Sequence, residues 1–142
     1  MAIDVDMTAV RDLEATLESS REIYVLNLLR FRVRAVYPEG MTSVGETGRE
    51  AYFNGYVPAF GSVATDHGVT GVKPVWIGNV AALFAVTAPE RWDAIVIVEY
   101  PSVAAFRQIF DSDLYRSHTE PMRKAALEEW RLIAQTRMEM PA

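Results

Sequence analysis

The segment Glu22-Ile-Tyr-Val-Leu-Asn-Leu-Leu-Arg-Phe-Arg32 decides the fold of this chain. Apolar side chains occupy both of its alternating sets, with Ile23, Val25 and Leu29 in one and Tyr24, Leu26 and Leu28 in the other. A strand that is apolar on both faces is covered on both faces. The segment Asp93–Tyr100 has the same character, so the two segments are predicted to be the central strands of one sheet.

Helical patterns precede and separate these strands. Residues Met7–Ser19 have the spacing of an amphipathic surface helix. A capping-box pair, Thr47 and Glu50, starts a helix at Gly48 that runs to about His67 and is expected to kink between Gly55 and Pro58. Ser102 is the predicted N-cap of a third helix, Val103–Phe110. A fourth follows, with Tyr115, His118, Met122 and Ala126 along one line.

Two further stretches have strand character. Val72–Ile77 is predicted to be a strand, followed by a Gly78-Asn79 turn and by Val80–Thr87 as either its return or its continuation. Glu129–Met138 alternates apolar and polar residues, which is typical of an edge strand with one wet face. The resulting order, strand, helix, strand, strand, helix, strand, predicts an α+β, ferredoxin-like unit.

We expect a single domain over residues 1–142, with a helical extension at 1–20 and a ferredoxin-like core at 22–138. In such a unit both crossover helices cover the same face of the sheet, so the other face stays open. An open face of Val, Leu and Ile predicts a homodimer that pairs sheet against sheet. The alternative is that the leading helix covers this face.

Composition excludes several classes of protein. The 142 residues include no Cys, so disulfides, thiolate nucleophiles and Cys-ligated metals are absent. A net charge of −5 argues against a nucleic-acid partner. No apolar run approaches the length that spans a membrane, and the N-terminal residues resemble neither a signal nor a transit peptide. We therefore expect a cytoplasmic protein with no membrane partner.

Several short motifs carry a family resemblance: Tyr24–Arg32, Gly48-Arg-Glu-Ala-Tyr52 with Tyr56 and Phe60, Pro74-Val-Trp76-Ile-Gly78, Val96-Ile-Val-Glu-Tyr-Pro-Ser102, and Ser112-Asp-Leu-Tyr115 with Arg123. Over roughly residues 24–136 the chain resembles the small bacterial family called domain of unknown function 1330. The resemblance implies a dimeric α+β barrel. That superfamily includes cofactor-independent monooxygenases, lactone isomerases, dehydratases and haem-degrading enzymes, whereas this family has no settled reaction. The N-terminal helix and the Arg32–Gly45 insertion depart from its minimal form.

Motifs for dinucleotide, nucleotide-phosphate, α/β-hydrolase and zinc-protease chemistry are absent, and no metal site or cofactor is expected. Two residues are candidate catalytic groups. Asn27 interrupts an apolar strand, so its amide either has structural partners or faces a ligand. His118 lies within an amphipathic helical pattern, as a half-buried structural residue, a general base or a haem ligand.

Four residues are candidates for substrate binding. Tyr52, Tyr56 and Trp76 form an aromatic group between the kinked helix and the sheet, where they either fill the core or shape a pocket for a flat, partly polar ligand. Arg30 either binds a substrate carboxylate or is solvated at the strand end, and Glu99 is expected to pair with Arg30 or Arg32.

These observations favour a cofactor-independent monooxygenase or isomerase that acts on a small aromatic or polyketide-like molecule. The alternative is a non-catalytic ligand-binding or stress-associated homodimer. A cavity larger than about 300 Å³ that touches at least three of the polar candidates would favour the enzyme.

Overall fold

The computed structural model describes residues 4–141, which fold as one antiparallel four-stranded sheet with helices. The strands are β1 (Ile23–Phe31), β2 (Lys73–Asn79), β3 (Ala94–Tyr100) and β4 (Leu127–Gln135), in the order β2-β3-β1-β4. The α+β class is confirmed. The prediction that β1 and β3 are the central pair is also confirmed, as is the edge position of β4.

The helices are α1 (Met7–Thr16), α2 (Gly48–Ala51), α3 (Val57–Asp66), α4 (Val103–Phe110) and α5 (Glu120–Ala126). A first π turn, Tyr52–Tyr56, joins α2 to α3, and a second π turn, Tyr115–Thr119, precedes α5. The predicted caps are confirmed: Glu50 N donates to Thr47 Oγ1 over 3.1 Å, and Ala105 N donates to Ser102 Oγ over 3.0 Å.

The two faces of the sheet differ in what covers them. The helix face of β1 carries Ile23, Val25, Asn27, Leu29 and Phe31, all of which are buried against the helices. The opposite face, called the outer face below, carries the intervening residues, which are only partly buried. In β3 the same division places Val96 and Val98 under the helices and Ile95 and Ile97 on the outer face.

The leading helix α1 packs on the helix face, so it does not cover the outer face. Its apolar side chains Val10 and Leu13 contact the core beside α4. The carboxylate of Glu14 accepts two hydrogen bonds from Arg107 on α4, at 2.6 and 3.1 Å. The alternative in which this helix roofs the open face of the sheet is therefore wrong.

The connection between β2 and β3 differs from the predicted turn and following strand. The strand β2 runs through Gly78-Asn79, so these two residues form no turn. Val80–Thr87, predicted to be a strand, is an irregular segment in which Phe84 is fully exposed. Its apolar residues gave it strand character, but it has no neighbouring strand with which to pair.

A bulge changes the register of β2. Pro74 lies opposite Val98 and Trp76 lies opposite Ile97, so Val75 is an additional residue in this strand. An additional residue moves every later side chain to the other face of the sheet. Trp76 therefore lies on the outer face, 61% exposed, and Ile77 takes the place under the helices that regular alternation assigns to Trp76.

Gly48 supplies a close contact on which the helical layer depends. A Cβ atom at this position would lie 2.4 Å from the carbonyl oxygens of both Arg32 and Ala126. Gly48→Ala is therefore expected to lower the free energy of unfolding by about 1–3 kcal/mol, because backbone on both sides must move. Chemical denaturation measures this change.

Gly61→Ala is the matched control, since nothing lies within 4 Å of a Cβ atom built on Gly61 in α3. Replacing a helical glycine in open space is expected to raise the free energy of unfolding by about 0.5–1 kcal/mol. Equal effects of the two substitutions would contradict the packing described for Gly48.

Candidate functional site

A cavity of about 420 Å³ lies between α3 with the first π turn and the strands β2 and β3. Its walls are mainly aliphatic and aromatic. The polar side chains that line it belong to Asn27, Tyr52, Tyr56, Thr65, Thr70 and Tyr100. Small-molecule sites commonly combine such an apolar wall with a few polar groups.

The exposed members of the lining mark where the cavity meets solvent. Val57, Gly61 and Thr65 follow one another at four-residue spacing on α3, so they form one side of the opening. Ile77 on the edge strand β2 is 60% exposed and forms the other side. A ligand would enter between α3 and the edge of the sheet.

A second cavity, of about 410 Å³, lies under α1 and is lined by Val10, Leu13 and Trp130 among others. None of the candidate site residues lines it. It also borders Asp4, where the described part of the chain begins. The cavity beside α3 is therefore the candidate functional site.

Asn27 lies in the wall of this site with its amide engaged by the protein. Its Nδ2 donates to the carbonyl oxygens of Val96 and Val25, over 3.1 and 3.4 Å. Its Oδ1 accepts a hydrogen bond from the indole nitrogen of Trp130 over 3.2 Å. These bonds satisfy most of the amide, and one acceptor position on Oδ1 remains.

The hydroxyl groups of Tyr52 and Tyr100 make no hydrogen bond with any residue in the range 4–141, although both side chains are buried in the cavity wall. Burial raises the pKa of Tyr52, Tyr56 and Tyr100 well above the ordinary phenol value of 10.0. All three therefore stay protonated at neutral pH, and each can donate a hydrogen bond.

The first π turn sets the position of Tyr56. The N–H of Val57 donates to the carbonyl of Tyr52, five residues earlier, so this turn contains one residue more than an α-helical turn. Pro58 lies two residues beyond the turn. Its ring would crowd the carbonyl four residues earlier in a regular helix, and the wider turn relieves that contact. This π turn ends at Tyr56, within the Gly55–Pro58 region where the sequence predicts a kink.

The second π turn explains why the helical line drawn through His118 is wrong. The N–H of Glu120 donates to the carbonyl of Tyr115, again five residues earlier. The inserted residue changes the phase of the helix, so Thr119 is buried and His118 is exposed. The ring of His118 hydrogen-bonds through Nδ1 to Ser117 Oγ over 2.7 Å, outside the cavity.

A buried arginine connects the two π turns. Arg123 is 0% exposed, and its Nη1 donates to the hydroxyl of Tyr115 over 2.6 Å. The Tyr115 hydroxyl in turn lies 2.9 Å from that of Tyr56. The guanidinium also lies over the Trp130 ring, 4.4 Å from its centroid, and 3.6 Å from Glu120. Burial raises the pKa of Tyr115, while Arg123 opposes that rise.

Two of the six candidate residues lie on or near the outer face instead. Trp76 was moved there by the bulge in β2. The Nε of Arg30 donates to the carbonyl of Arg91 over 2.6 Å, and its guanidinium stacks on the Trp92 ring at 4.7 Å. Asn27, Tyr52 and Tyr56 are thus brought together, whereas Trp76, Arg30 and His118 do not join them.

The expected pairing of Glu99 with Arg30 or Arg32 is wrong. In the antiparallel register Glu99 lies opposite Tyr24, at the other end of β1 from Arg30. Its carboxylate instead lies 3.9 Å from the ammonium of Lys73 on β2. Among residues 4–141, no group of three His, Cys, Asp or Glu could hold a metal ion, and no helix is long and apolar enough to cross a membrane.

Sequence reasoning assigned no site role to Tyr100, Tyr115 or Arg123. The signal for the π turns was nevertheless present, because a tyrosine stands six residues before a proline in both places, Tyr52 before Pro58 and Tyr115 before Pro121. Arg123 is part of the family resemblance, but nothing local predicts its burial, since it is followed by Lys124 in a segment that resembles a solvated helical face.

Comparison with protein-family profiles and with curated proteins finds no match. Two solved structures are similar over nearly the whole chain. The methylated RPA0582 protein is 35% identical, with a TM-score of 0.77, and 97% of this chain and 96% of that chain are covered. The RPA0582 protein of unknown function from Rhodopseudomonas palustris, a structural genomics target, is 34% identical, with a TM-score of 0.76 and coverage of 97% and 98%. This chain therefore belongs to the family of the RPA0582 protein.

Proposed function

We propose that the chain is a ferredoxin-like unit that pairs through its outer face as a dimeric α+β barrel, in keeping with its resemblance to the domain of unknown function 1330 family. An apolar row crosses all four strands of that face. Trp76 lies opposite Ile97, Ile97 opposite Leu26, and Leu26 opposite Ile133. Trp76 and Ile133 are 61% and 52% exposed, and no helix of the described chain covers them.

The partner proposed for this face is a second copy of the chain. The row next to the apolar one contains Lys73 beside Glu99, so a twofold arrangement can oppose unlike charges. Burying roughly 600 Å² of apolar surface at about 25 cal/mol per Å² contributes on the order of 15 kcal/mol before the costs of association. The exposed apolar segment at 80–86 borders Leu28 and Ile95 of the same face and would extend the interface.

Ile133→Lys tests this dimer, because it introduces a charge into the apolar row at its β4 end, where the side chain is 52% exposed. The wild type is expected to sediment as a dimer at low micromolar concentration, and the variant as a monomer. Val33→Lys is the control, since Val33 is 83% exposed in the segment after β1 and is not part of any strand of the sheet. A monomeric wild type would exclude this interface.

The activity that we propose is a cofactor-independent monooxygenase or isomerase reaction on a small aromatic or polyketide-like compound. One observation carries this proposal: a cavity of about 420 Å³ whose wall includes Asn27, Tyr52 and Tyr56. The volume of this cavity exceeds the value of about 300 Å³ that would favour an enzyme. Three of the polar candidate residues, Asn27, Tyr52 and Tyr56, line it. Tyr100, also a buried side chain, adds a third tyrosine hydroxyl to the wall.

Hydroxyl donors in an apolar cavity suit such a reaction. They stabilise an enolate or phenolate oxygen more strongly than water does, because the surroundings have a low dielectric constant. Ring compounds in that electron-rich form are the ones that react with dioxygen as oxidant or shift a proton between carbons. Tyr52 and Tyr56 would hold the oxygen, and Asn27 would offer its remaining acceptor position on Oδ1.

The alternative, a non-catalytic ligand-binding or stress-associated homodimer, is favoured by a different observation. The part of the chain that lines the cavity contains no carboxylate and no imidazole. The tyrosines there cannot accept a proton at neutral pH, because burial raises their pKa and keeps them protonated. A catalysed reaction would thus need a substrate that ionises readily. The third possibility, a haem ligand at His118, loses support because that side chain is exposed and outside the cavity.

A thermal-shift screen with aromatic acids, quinones and haem, followed by mass spectrometry of each stabilising compound incubated in air, separates these functions. Gain of one oxygen atom with loss of two hydrogen atoms indicates a cofactor-independent monooxygenase, because the substrate itself supplies the two electrons that reduce the second oxygen atom of dioxygen to water. A new compound of equal mass indicates an isomerase. Recovery of the unchanged ligand indicates a binding protein. Absence of any stabilising compound would contradict both proposals.

The raised pKa values of the buried tyrosines also predict how stability depends on pH. The contribution of these buried tyrosines to the free energy of unfolding is fully present below pH 10.0, where the phenols of the unfolded chain are protonated as well. At higher pH the unfolded chain loses protons that the folded chain keeps, so the free energy of unfolding falls by up to about 1.4 kcal/mol per pH unit for each such tyrosine. Tyr100→Phe is expected to reduce this slope by about one proton in alkaline denaturation, and an unchanged slope would contradict it.

A further inference from the structure

The hydrogen-bond chain from Arg123 to Tyr56 has a direction. A guanidinium is a donor only, so the Tyr115 oxygen must accept from Arg123 Nη1 over their 2.6 Å contact. The next contact, 2.9 Å between the hydroxyls of Tyr115 and Tyr56, is compatible with either atom as donor. Which of the two donates decides where the remaining hydrogen of the pair lies.

Two phenols carry two hydroxyl hydrogens, and their shared bond uses one. The other hydrogen has no acceptor among residues 4–141, since neither hydroxyl makes a further hydrogen bond there. If Tyr56 donated to Tyr115, that hydrogen would remain on Tyr115, which does not line the cavity. If Tyr115 donates to Tyr56, it remains on Tyr56, which does line the cavity. The second arrangement avoids a buried donor without a partner.

We propose that Tyr56 is the hydrogen-bond donor to the ligand, and that the ligand is a planar, largely apolar ring compound with a carbonyl or phenolate oxygen at this position. Tyr115 and Arg123 are positioning residues, because they direct and polarise the Tyr56 hydroxyl without lining the cavity. This inference rests on the proposed function, since it requires the cavity to bind a small molecule.

The rest of the wall agrees with this ligand chemistry. The side chains of Tyr52 and Tyr100 are buried there, and their hydroxyls have no partner within the described range, so their hydrogens are also available to acceptor oxygens. Phe60, Val96 and Phe110 supply an apolar surface for a ring. Hydrogen bonds in a chain strengthen one another, so the charge of Arg123 makes Tyr56 a stronger donor than an isolated phenol.

A matched pair of probes tests this donor: 2-acetylnaphthalene, which has a carbonyl oxygen, and 2-ethylnaphthalene, which has the same ring but no acceptor. Both are expected to bind to the full-length protein, and the ketone about tenfold more tightly, because it gains one hydrogen bond. The infrared carbonyl stretch of the bound ketone is expected at lower frequency than in an apolar solvent.

The variants separate a positioning role from a merely structural one. Tyr56→Phe is expected to remove the tenfold preference and to return the carbonyl stretch toward its value in apolar solvent. Tyr115→Phe is expected to leave the ketone bound, with the stretch shifted only part of the way. Tyr37→Phe is the matched control, because the Tyr37 hydroxyl donates to the carbonyl of Gly45 and Tyr37 does not line the cavity. It should change neither readout.

Equal binding of the two probes, or a carbonyl stretch that Tyr56→Phe leaves unchanged, would overturn the inference while the cavity still binds ligands. Failure of both probes to bind would contradict the proposed function, and the inference would fall with it. If the carbonyl stretching frequency changes with Tyr56→Phe but not with Tyr115→Phe, Tyr56 is still the donor to the ligand, but Tyr115 and Arg123 are not positioning residues. If Tyr56→Phe does not fold, the probe preference and the stretch in the wild type decide the question.

Discussion

Proline has no backbone N–H, and its ring occupies space that a regular helix or strand needs. This property of proline shapes the helices and the strand that surround the cavity. Pro58 and Pro121 each stand two residues beyond a π turn, and Pro74 stands at the bulge of β2. Each of these irregularities inserts one residue and rotates the side chains on one side of it relative to those on the other. The 2.9 Å contact between Tyr56 and Tyr115 joins the two π turns, so it depends on both insertions.

The buried charge of Arg123 is the second determinant of the site. Removing a guanidinium from water costs several kcal/mol, and an apolar side chain of similar volume often serves stability as well or better. Here the charge is offset by the Tyr115 hydroxyl, the Trp130 ring and the carboxylate of Glu120. Since Trp130 also donates to Asn27, the arginine and the strand amide are supported by the same indole. The polar groups around the cavity are thus coupled through the core.

The regular elements could be predicted from the sequence, because their signals are local. Apolar residues on both faces identified β1 and β3, and side-chain caps identified the starts of α2 and α4. Two of the errors follow from single inserted residues. Trp76 was assigned to the wrong face because the bulge at Val75 reverses the alternation, and His118 was assigned to the inner line because the π turn shifts the helical phase. The cavity could be anticipated from Tyr52 and Tyr56, whereas the sequence marks Arg123 only as part of a family motif, and its connection to the site follows from its burial and its bond to Tyr115.

The bulge in β2 also affects the exposed edge of the sheet, because β2 is an edge strand. An edge strand exposes unpaired backbone groups that can template addition of a foreign strand. In β2 the proline has no backbone N–H, and the extra residue interrupts the regular spacing of the unpaired N–H and C=O groups. A strand from another molecule therefore cannot form a continuous hydrogen-bond ladder with β2. The same irregularity that displaces an indole thereby protects the molecule from open-ended fibrous growth.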